Sequence, residues 1–402
     1  MRFVKSFTIW PLILAVIGPF EKYINVNGFA AFADNSWIIE TVDSTFGIST
    51  CGEYSSLALG DNDNPHISYY AFNGDGGLYY ARNDGTLWHI EFVYDTHGTT
   101  VTSLAVDSDN NPHISFFDPD YMIKYAYHST IWHIDTIYSA GDAGLKNSIA
   151  LDNFNNPHVS FVKDIPFDND SLMYAYYDSM WNIQSVDYPC FGSDQSSIAL
   201  DSNNNPHISY FNGPSSDLKY AYYDGTWNIQ TIDYCGSQTT CIVLDDNDHP
   251  HISYYDGSNN DLRYAYYDGF WHIQTVDTSG DVGQYNSIAL DSYNNIHISY
   301  YDAGSFDLKY AFYNGNWHIE TIDTSGHVGR FSSIEIDDND KPRISYAFFS
   351  LDIDKLKYAY KIDETIPTLS EWGMLIMGLL LLAVGTIAII RKRKTVVQRQ
   401  IR

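Results

Sequence analysis

Between residues 34 and 363 apolar and polar positions alternate in runs of five to seven, and clusters of Asp, Asn, Gly and Pro separate the runs. A period of two is the mark of a strand with one face buried. In residues 197–233 the pattern resolves into four such strands. Ser-Ile-Ala-Leu-Asp (197–201) is the first, and Asn203-Asn204-Asn205-Pro206 turns the chain into the second, 207–211. After a loop at 212–217 the third runs over 218–223. Asp224-Gly225 reads as a two-residue type I′ hairpin turn into the fourth, 227–233, because both residues tolerate positive φ.

The unit recurs. Trp-x-Ile stands at Trp37, Trp88, Trp132, Trp181, Trp227, Trp271 and Trp317. A second marker, close to Pro-His-Ile-Ser-aromatic, falls at His66, His113, His158, His207, His251 and His297, with Arg343 in the seventh place. The two series drift together at intervals of 44 to 51 residues, which excludes coincidence. Four antiparallel strands per repeat of this length predict an all-β, seven-bladed β-propeller. A lone fourth-type strand at 37–42 opens the array, and three strands at 333–337, 343–347 and 356–361 end it. The first strand is therefore expected to complete the last blade and close the ring, leaving no free sheet edge.

The flanks follow different rules. Residues 1–33 combine a basic start, an apolar run over 7–20 and Ala31-Phe32-Ala33, the layout of a secretory signal peptide cleaved after Ala33. Residues 374–390 carry no charge and precede Arg391-Lys392-Arg393-Lys394. As a helix they reach about 25 Å, close to the ~30 Å hydrocarbon core. Trp372 and the cations would sit at the two interfaces. The expected order is signal peptide 1–33, propeller 34–363, linker 364–373, one C-terminal transmembrane helix 374–390 and a basic cytoplasmic tail 391–402. That order makes the protein exported, with its propeller outside the cytoplasm.

The formal charge is −28, and residues 34–363 hold 13 cations against 47 anions. Such a surface excludes nucleic acid as a partner. Cys51, Cys190, Cys235 and Cys241 show no CxxC or Cys/His spacing, which argues against zinc. An oxidising compartment permits disulfides. Cys235 and Cys241 are close enough in sequence to pair, but three complete pairings remain open.

No catalytic constellation is visible. Six histidines at equivalent ring positions lack the asymmetry that catalysis needs, so a structural role is expected, each bonding backbone of a neighbouring strand or blade. The Asx turns, Asp61-Asn62-Asp63-Asn64 among them, suggest calcium but lack the glycine and bidentate Glu of a full loop, so calcium stays only an open possibility and no cofactor is required. The 34 tyrosines mostly recur at fixed positions, as expected of packing between blades. Sialidases are also propellers, but their Asp-box is absent here, as are GxSxG, HExxH and P-loop motifs. The connections fall into two groups. First-to-second and third-to-fourth turns are nearly uniform, whereas fourth-to-first and second-to-third loops vary and share the opposite face. A varied face can build one asymmetric site. Asp142, Asp281, His327 and Arg330 are its candidate ligand-binding residues.

The segment Ile366-Pro367-Thr368-Leu369-Ser370-Glu371-Trp372-Gly373, with the apolar run and cations after it, resembles the IPTL-CTERM sorting domain, a relative of PEP-CTERM signals in bacteria with Gram-negative envelopes. The resemblance implies recognition and removal of the tail by an exosortase-like membrane protease, and residence in the cell envelope or on its surface. The expected function is a non-catalytic platform for a glycan or a surface protein. The alternatives are a glycan-active enzyme or lectin of the outer surface or biofilm matrix, and a periplasmic scaffold that keeps its anchor.

Overall fold

The computed structural model describes residues 37–46, 50–72, 76–139, 143–163, 171–188, 195–212, 217–236 and 239–362. Residues 37–361 form seven sheets of four antiparallel strands. Blades one to six span 51–95, 102–138, 143–187, 196–234, 240–277 and 282–323. Blade seven takes three strands from 327–361 and its outermost from Trp37–Phe46, which runs antiparallel to Ile353–Lys361 in the register Trp37↔Lys361 to Phe46↔Ile353. The ring closes as the repeat pattern predicts. The signal segment, the apolar run 374–390 and the tail lie outside the described residues. Among the described residues no helix is long and apolar enough to cross a membrane.

Each blade reads inside to outside in chain order. The first strand lines a central channel, and its polar residues join neighbouring blades. The Leu104 amide donates to Ser56 Oγ at 3.0 Å, Ile149 to Ser103 at 3.1 Å, Ile198 to Ser148 at 3.2 Å, Ile242 to Ser197 at 3.2 Å, Ile334 to Ser287 at 3.2 Å and Leu57 to Ser333 at 3.0 Å. Cys241 holds the remaining place, with the Ile288 amide on its sulfur. One layer out, the fully buried serine of each His-Ile-Ser motif reaches the next blade. Ser160 meets Ser196, Ser209 meets Thr240 and Ser299 meets Ser332, all at 3.0 Å. These bonds satisfy inner-strand polar groups that water would otherwise have to reach.

The histidines hold the middle layer, though not through backbone groups as their sequence positions suggested. His207 Nδ1 bonds the Tyr220 hydroxyl at 2.5 Å, on the third strand of the same blade. That tyrosine packs edge-on against Trp271 of the next blade, centroids 5.3 Å apart at 76°. The same His–Tyr–Trp path runs through His66–Tyr80–Trp132, His113–Tyr125–Trp181, His158–Tyr174–Trp227 and His251–Tyr264–Trp317.

Two local expectations are corrected. The third-to-fourth hairpins have three residues in blades two to six, as in Tyr223↔Trp227 around Asp224-Gly225-Thr226, not two. Gly225 holds φ 106° there. The fourth strands also carry a bulge, between Leu218 and Lys219 opposite Ile232 in blade four and equivalently elsewhere. The bulge turns the following aspartate toward the next blade, where Asp277 Oδ2 accepts from Tyr300 at 2.7 Å and from Lys309 at 2.7 Å. Cys51, Cys235 and Cys241 are unpaired. The sulfur of Cys235 is buried in the core between blades four and five, whereas Cys241 sits in the serine ring.

Candidate functional site

The two faces of the disc differ in the way their loops suggest. On the uniform face the Asx turns bind themselves and one another. Asp201 Oδ1 accepts the amides of Asn203 and Asn205, and Asn205 Nδ2 returns to Asp201 Oδ2. Asp248 then accepts the Ser202 amide and hydroxyl from the preceding blade, at 2.8 and 2.7 Å. These carboxylates are occupied by N–H and O–H donors. Among the described residues no three His, Cys, Asp or Glu side chains converge as a metal would require.

The opposite face is asymmetric at the mouth of the channel. In blades seven, one and six the first strand extends beyond its counterparts in blades two, four and five, starting at His327, Cys51 and Val282. Each extension contains an irregularity, between Glu53 and Ser56, Gln284 and Ser287, and Arg330 and Ser333. The bulged residues Tyr54, Tyr285 and Phe331 hold φ of 53°, 51° and 56°. Bulky aromatic residues pay steric energy in this region, and such strain persists where the surroundings enforce it. Two residues earlier Gly283 and Gly329 take φ of 105° and 98°. A Cβ on them would lie 2.8 and 2.7 Å from the Cα of Leu262 and Leu308.

The three rings meet over the channel. Phe331 lies 4.4 Å from Tyr54 and 4.6 Å from Tyr285, centroid to centroid. Arg330 sits among them, its guanidinium 5.2 Å from the Tyr285 ring, 5.3 Å from Phe331 and 5.2 Å from Phe349. It donates to the Tyr285 hydroxyl at 2.7 Å. Burial works against its charge, but that hydroxyl and nearby Glu53 favour it, and its pKa is raised. Burial pushes the Glu53 carboxyl up, and Arg330 opposes the shift. Beneath lies a polar floor that includes Ser56, Ser103, Asn147, Thr240 and Asn286. A cation, a carboxyl group, three aromatic faces and a hydroxyl-lined floor can stack an apolar ring face and hydrogen-bond a polar rim.

Of the residues singled out from sequence, Arg330 is at the centre of this arrangement. Asp281 lies on the same side, accepting from the Tyr255 hydroxyl at 2.8 Å and from Gln284 Nε2 at 3.0 Å. His327 is exposed and stacks on Phe306, centroids 4.1 Å apart. Asp142 lies outside the described residues. The aromatic trio was missed. Its signal is Gly-x-aromatic-x-Ser, in Gly52-Glu53-Tyr54-Ser55-Ser56, Gly283-Gln284-Tyr285-Asn286-Ser287 and Gly329-Arg330-Phe331-Ser332-Ser333.

The IPTL-CTERM motif matches residues 365–393. No curated protein matches the chain in sequence. Solved structures share its fold at low identity. Virginiamycin B lyase from Staphylococcus aureus is 10% identical with a TM-score of 0.54, over 81% of this chain and all of that one. A protein of unknown function from Dyadobacter fermentans is 9% identical at 0.51, over 80% and 98%. The Aleuria aurantia lectin, in complex with Fucalpha1-6GlcNAc, is 13% identical at 0.50, over 68% and 96%. At these identities the likeness concerns fold alone. The sorting motif suggests a bacterial surface or envelope protein.

Proposed function

We propose that the chain is an exported, envelope-anchored propeller that acts without catalysis, binding a glycan at the aromatic mouth of its channel. The observation that carries this reading is the strained trio Tyr54, Tyr285 and Phe331, with the Arg330 guanidinium packed on two of its rings, Tyr285 and Phe331. Rigid aromatic faces beside a fixed cation and a polar floor suit the mixed apolar and hydroxyl surface of a sugar. The lectin of similar fold, solved with a fucosyl disaccharide, is compatible with such use of a propeller. Residues 1–33 direct export, 374–390 hold the chain in the membrane, and 366–373 present the tail to a sorting protease. Asp281, His327 and Asp142 are secondary candidates for contact with the ligand.

A glycan panel probed with the full chain tests the reading. Binding of a defined oligosaccharide is expected, with no product released. Phe331→Ala and Arg330→Gln should each weaken it by about tenfold or more, the scale of one lost aromatic or charge-assisted contact. Turnover of the bound glycan would replace this reading with a glycan-active enzyme. Binding unaffected by either substitution would move the site elsewhere.

A further inference from the structure

Blade one departs from the other blades at two positions that face each other. In blades two to six an aspartate six residues before the histidine sets a carboxylate near its Nε2. Asp107 lies 3.3 Å from His113, Asp152 3.8 Å from His158, Asp201 3.9 Å from His207, Asp245 3.7 Å from His251 and Asp291 3.4 Å from His297. In blade seven Asp337 holds Arg343 instead. In blade one that place belongs to Gly60, and no carboxylate approaches His66. The second departure is Arg82, opposite His66 in register, where the other blades carry Tyr or Phe.

These changes leave a pocket of about 320 Å³ between blades one and two, on the uniform face away from the channel mouth, whose walls include His66, Arg82, Asp84, Glu91, Asn110 and His128. His66 is only 5% exposed. Its Nδ1 meets the Tyr80 hydroxyl at 2.5 Å, and its Nε2, beside Gly60, has no partner among the described residues. Arg82 makes no hydrogen bond or ion pair among the described residues, although Arg263, Arg330 and Arg343 each do. The two acids of the pocket are engaged. Asp84 accepts the amides of Thr86 and Leu87 and lies 2.7 Å from His89 Nε2. Glu91 accepts the Trp132 indole N–H at 3.0 Å. An unpaired guanidinium beside an imidazole with one free nitrogen, in a repeat whose sibling blades set a carboxylate there, asks for a carboxylate from outside.

We infer that this pocket binds an acidic monosaccharide, its carboxylate held by Arg82 on the side of the pocket that His66 lines. A bare anion would meet Asp84 and Glu91, both negative. A uronate carries hydroxyl donors for the remaining lone pairs of those acids and for the Asn110 amide, so its two ends match the two halves of the pocket. The inference is independent of the glycan site at the channel mouth.

Calorimetric titration of the full chain with D-glucuronate and with D-glucose tests it. Saturable binding of glucuronate and none of glucose is expected. Arg82→Gln, at an exposed side chain without partners, should cost about tenfold or more in affinity with an unchanged melting temperature, as loss of a charge-assisted pair implies. Gly60→Asp puts a carboxylate within the chain and should abolish binding, with the Asn110 side chain and the His66 ring displaced, since a Cβ there would lie 2.5 Å from Asn110 Oδ1 and 2.7 Å from His66 Nε2. If that variant fails to fold, Arg82→Gln still decides. Arg330→Gln should leave glucuronate binding intact. The inference is overturned if glucuronate does not bind, if glucose binds equally, if Arg82→Gln has no effect, or if Arg330→Gln is the change that removes binding.

Discussion

At the scale of single residues the repeat works as a set of controls on itself. Each tryptophan reaches back to the residue three after the tryptophan of the preceding blade. Trp132 donates to Glu91 at 3.0 Å, Trp227 to Gln184 at 3.1 Å, Trp271 to Gln230 at 2.7 Å and Trp317 to Gln274 at 3.1 Å. Trp181 is the exception, its indole nitrogen buried without a partner. The residue offered to it is Asp135, one methylene shorter than the Glu or Gln of its siblings. Asp135→Glu should restore the bond and raise stability by about 1 kcal/mol in denaturant unfolding. No gain would mean that backbone placement, not side-chain length, leaves the indole unpaired. The histidines make a second prediction. Burial holds the imidazoles of His66, His113, His158, His207, His251 and His297 below the ordinary range, His66 at about 4. The unfolded chain takes up these protons near pH 6.5, earlier than the folded one, so stability falls as pH drops below about 6.5. Glu335 acts in the opposite sense, since burial pushes its carboxyl up to about 7 and costs stability as pH rises. Glu53, Asp261 and Asp354 are also raised by burial. In Asp107, Asp118, Asp152, Asp245, Asp277, Asp291 and Asp323 burial is outweighed by hydrogen bonds that lower the carboxyl, and these lose stability in acid together with the six imidazoles, so the sign is unchanged. The melting temperature should therefore be lower at about pH 5 than at about pH 7.5, and a flat or rising profile would show that the histidines fold charged. The ring position of each histidine was legible in sequence. Its partner was not, because spacing places a residue on a strand without showing which group across the sheet is nearest.

At the scale of elements the strands themselves were the most legible feature, since period two and turn residues mark them directly. The fourth-strand bulge was also written in the chain. In 227–233 the apolar positions run 227, 229 and then 232, a change of parity that a regular strand forbids. The extended inner strands were hidden for the opposite reason. Gly-Gln-Tyr-Asn and Gly-Arg-Phe-Ser carry no alternation, so they pass for loop until the backbone shows them paired. Gly329 tests how firmly that pairing is held. Its φ of 98° and the 2.7 Å approach to Leu308 Cα leave no room for a methyl group, and the obstacle is backbone. Gly329→Ala should destabilise the propeller by about 1–3 kcal/mol and displace Phe331. The readouts are chemical unfolding and the affinity for the channel-mouth glycan. Unchanged stability and affinity would show that the bulge relaxes without cost.

At the scale of the molecule, number of blades, ring closure and the sorting motif were all open to reading, because each is a statement about repetition or a local motif. The channel-mouth site was only half legible, with Arg330 found and its aromatic partners missed, since a site built by three non-adjacent stretches of chain has no linear pattern of its own. If the proposed sorting step acts, envelope protein should have an intact mass ending near Pro367. A mature species that keeps Arg391–Lys394 would point to a permanent anchor. The closure of the ring has a consequence in time. Glu40 and Tyr360 bond at 3.1 Å although 320 positions separate them. Among the described strands the first to be synthesised pairs with the last, and the loop that pairing closes takes in almost the whole disc. Long loops are slow to close, so the final joint is expected to govern the rate of folding. Until the last strand emerges the array stays an open arc with unpaired edges at either end. If the chain is exported unfolded, as proposed, the delay serves it, because no finished disc can form while its last strand is still on the near side of the membrane.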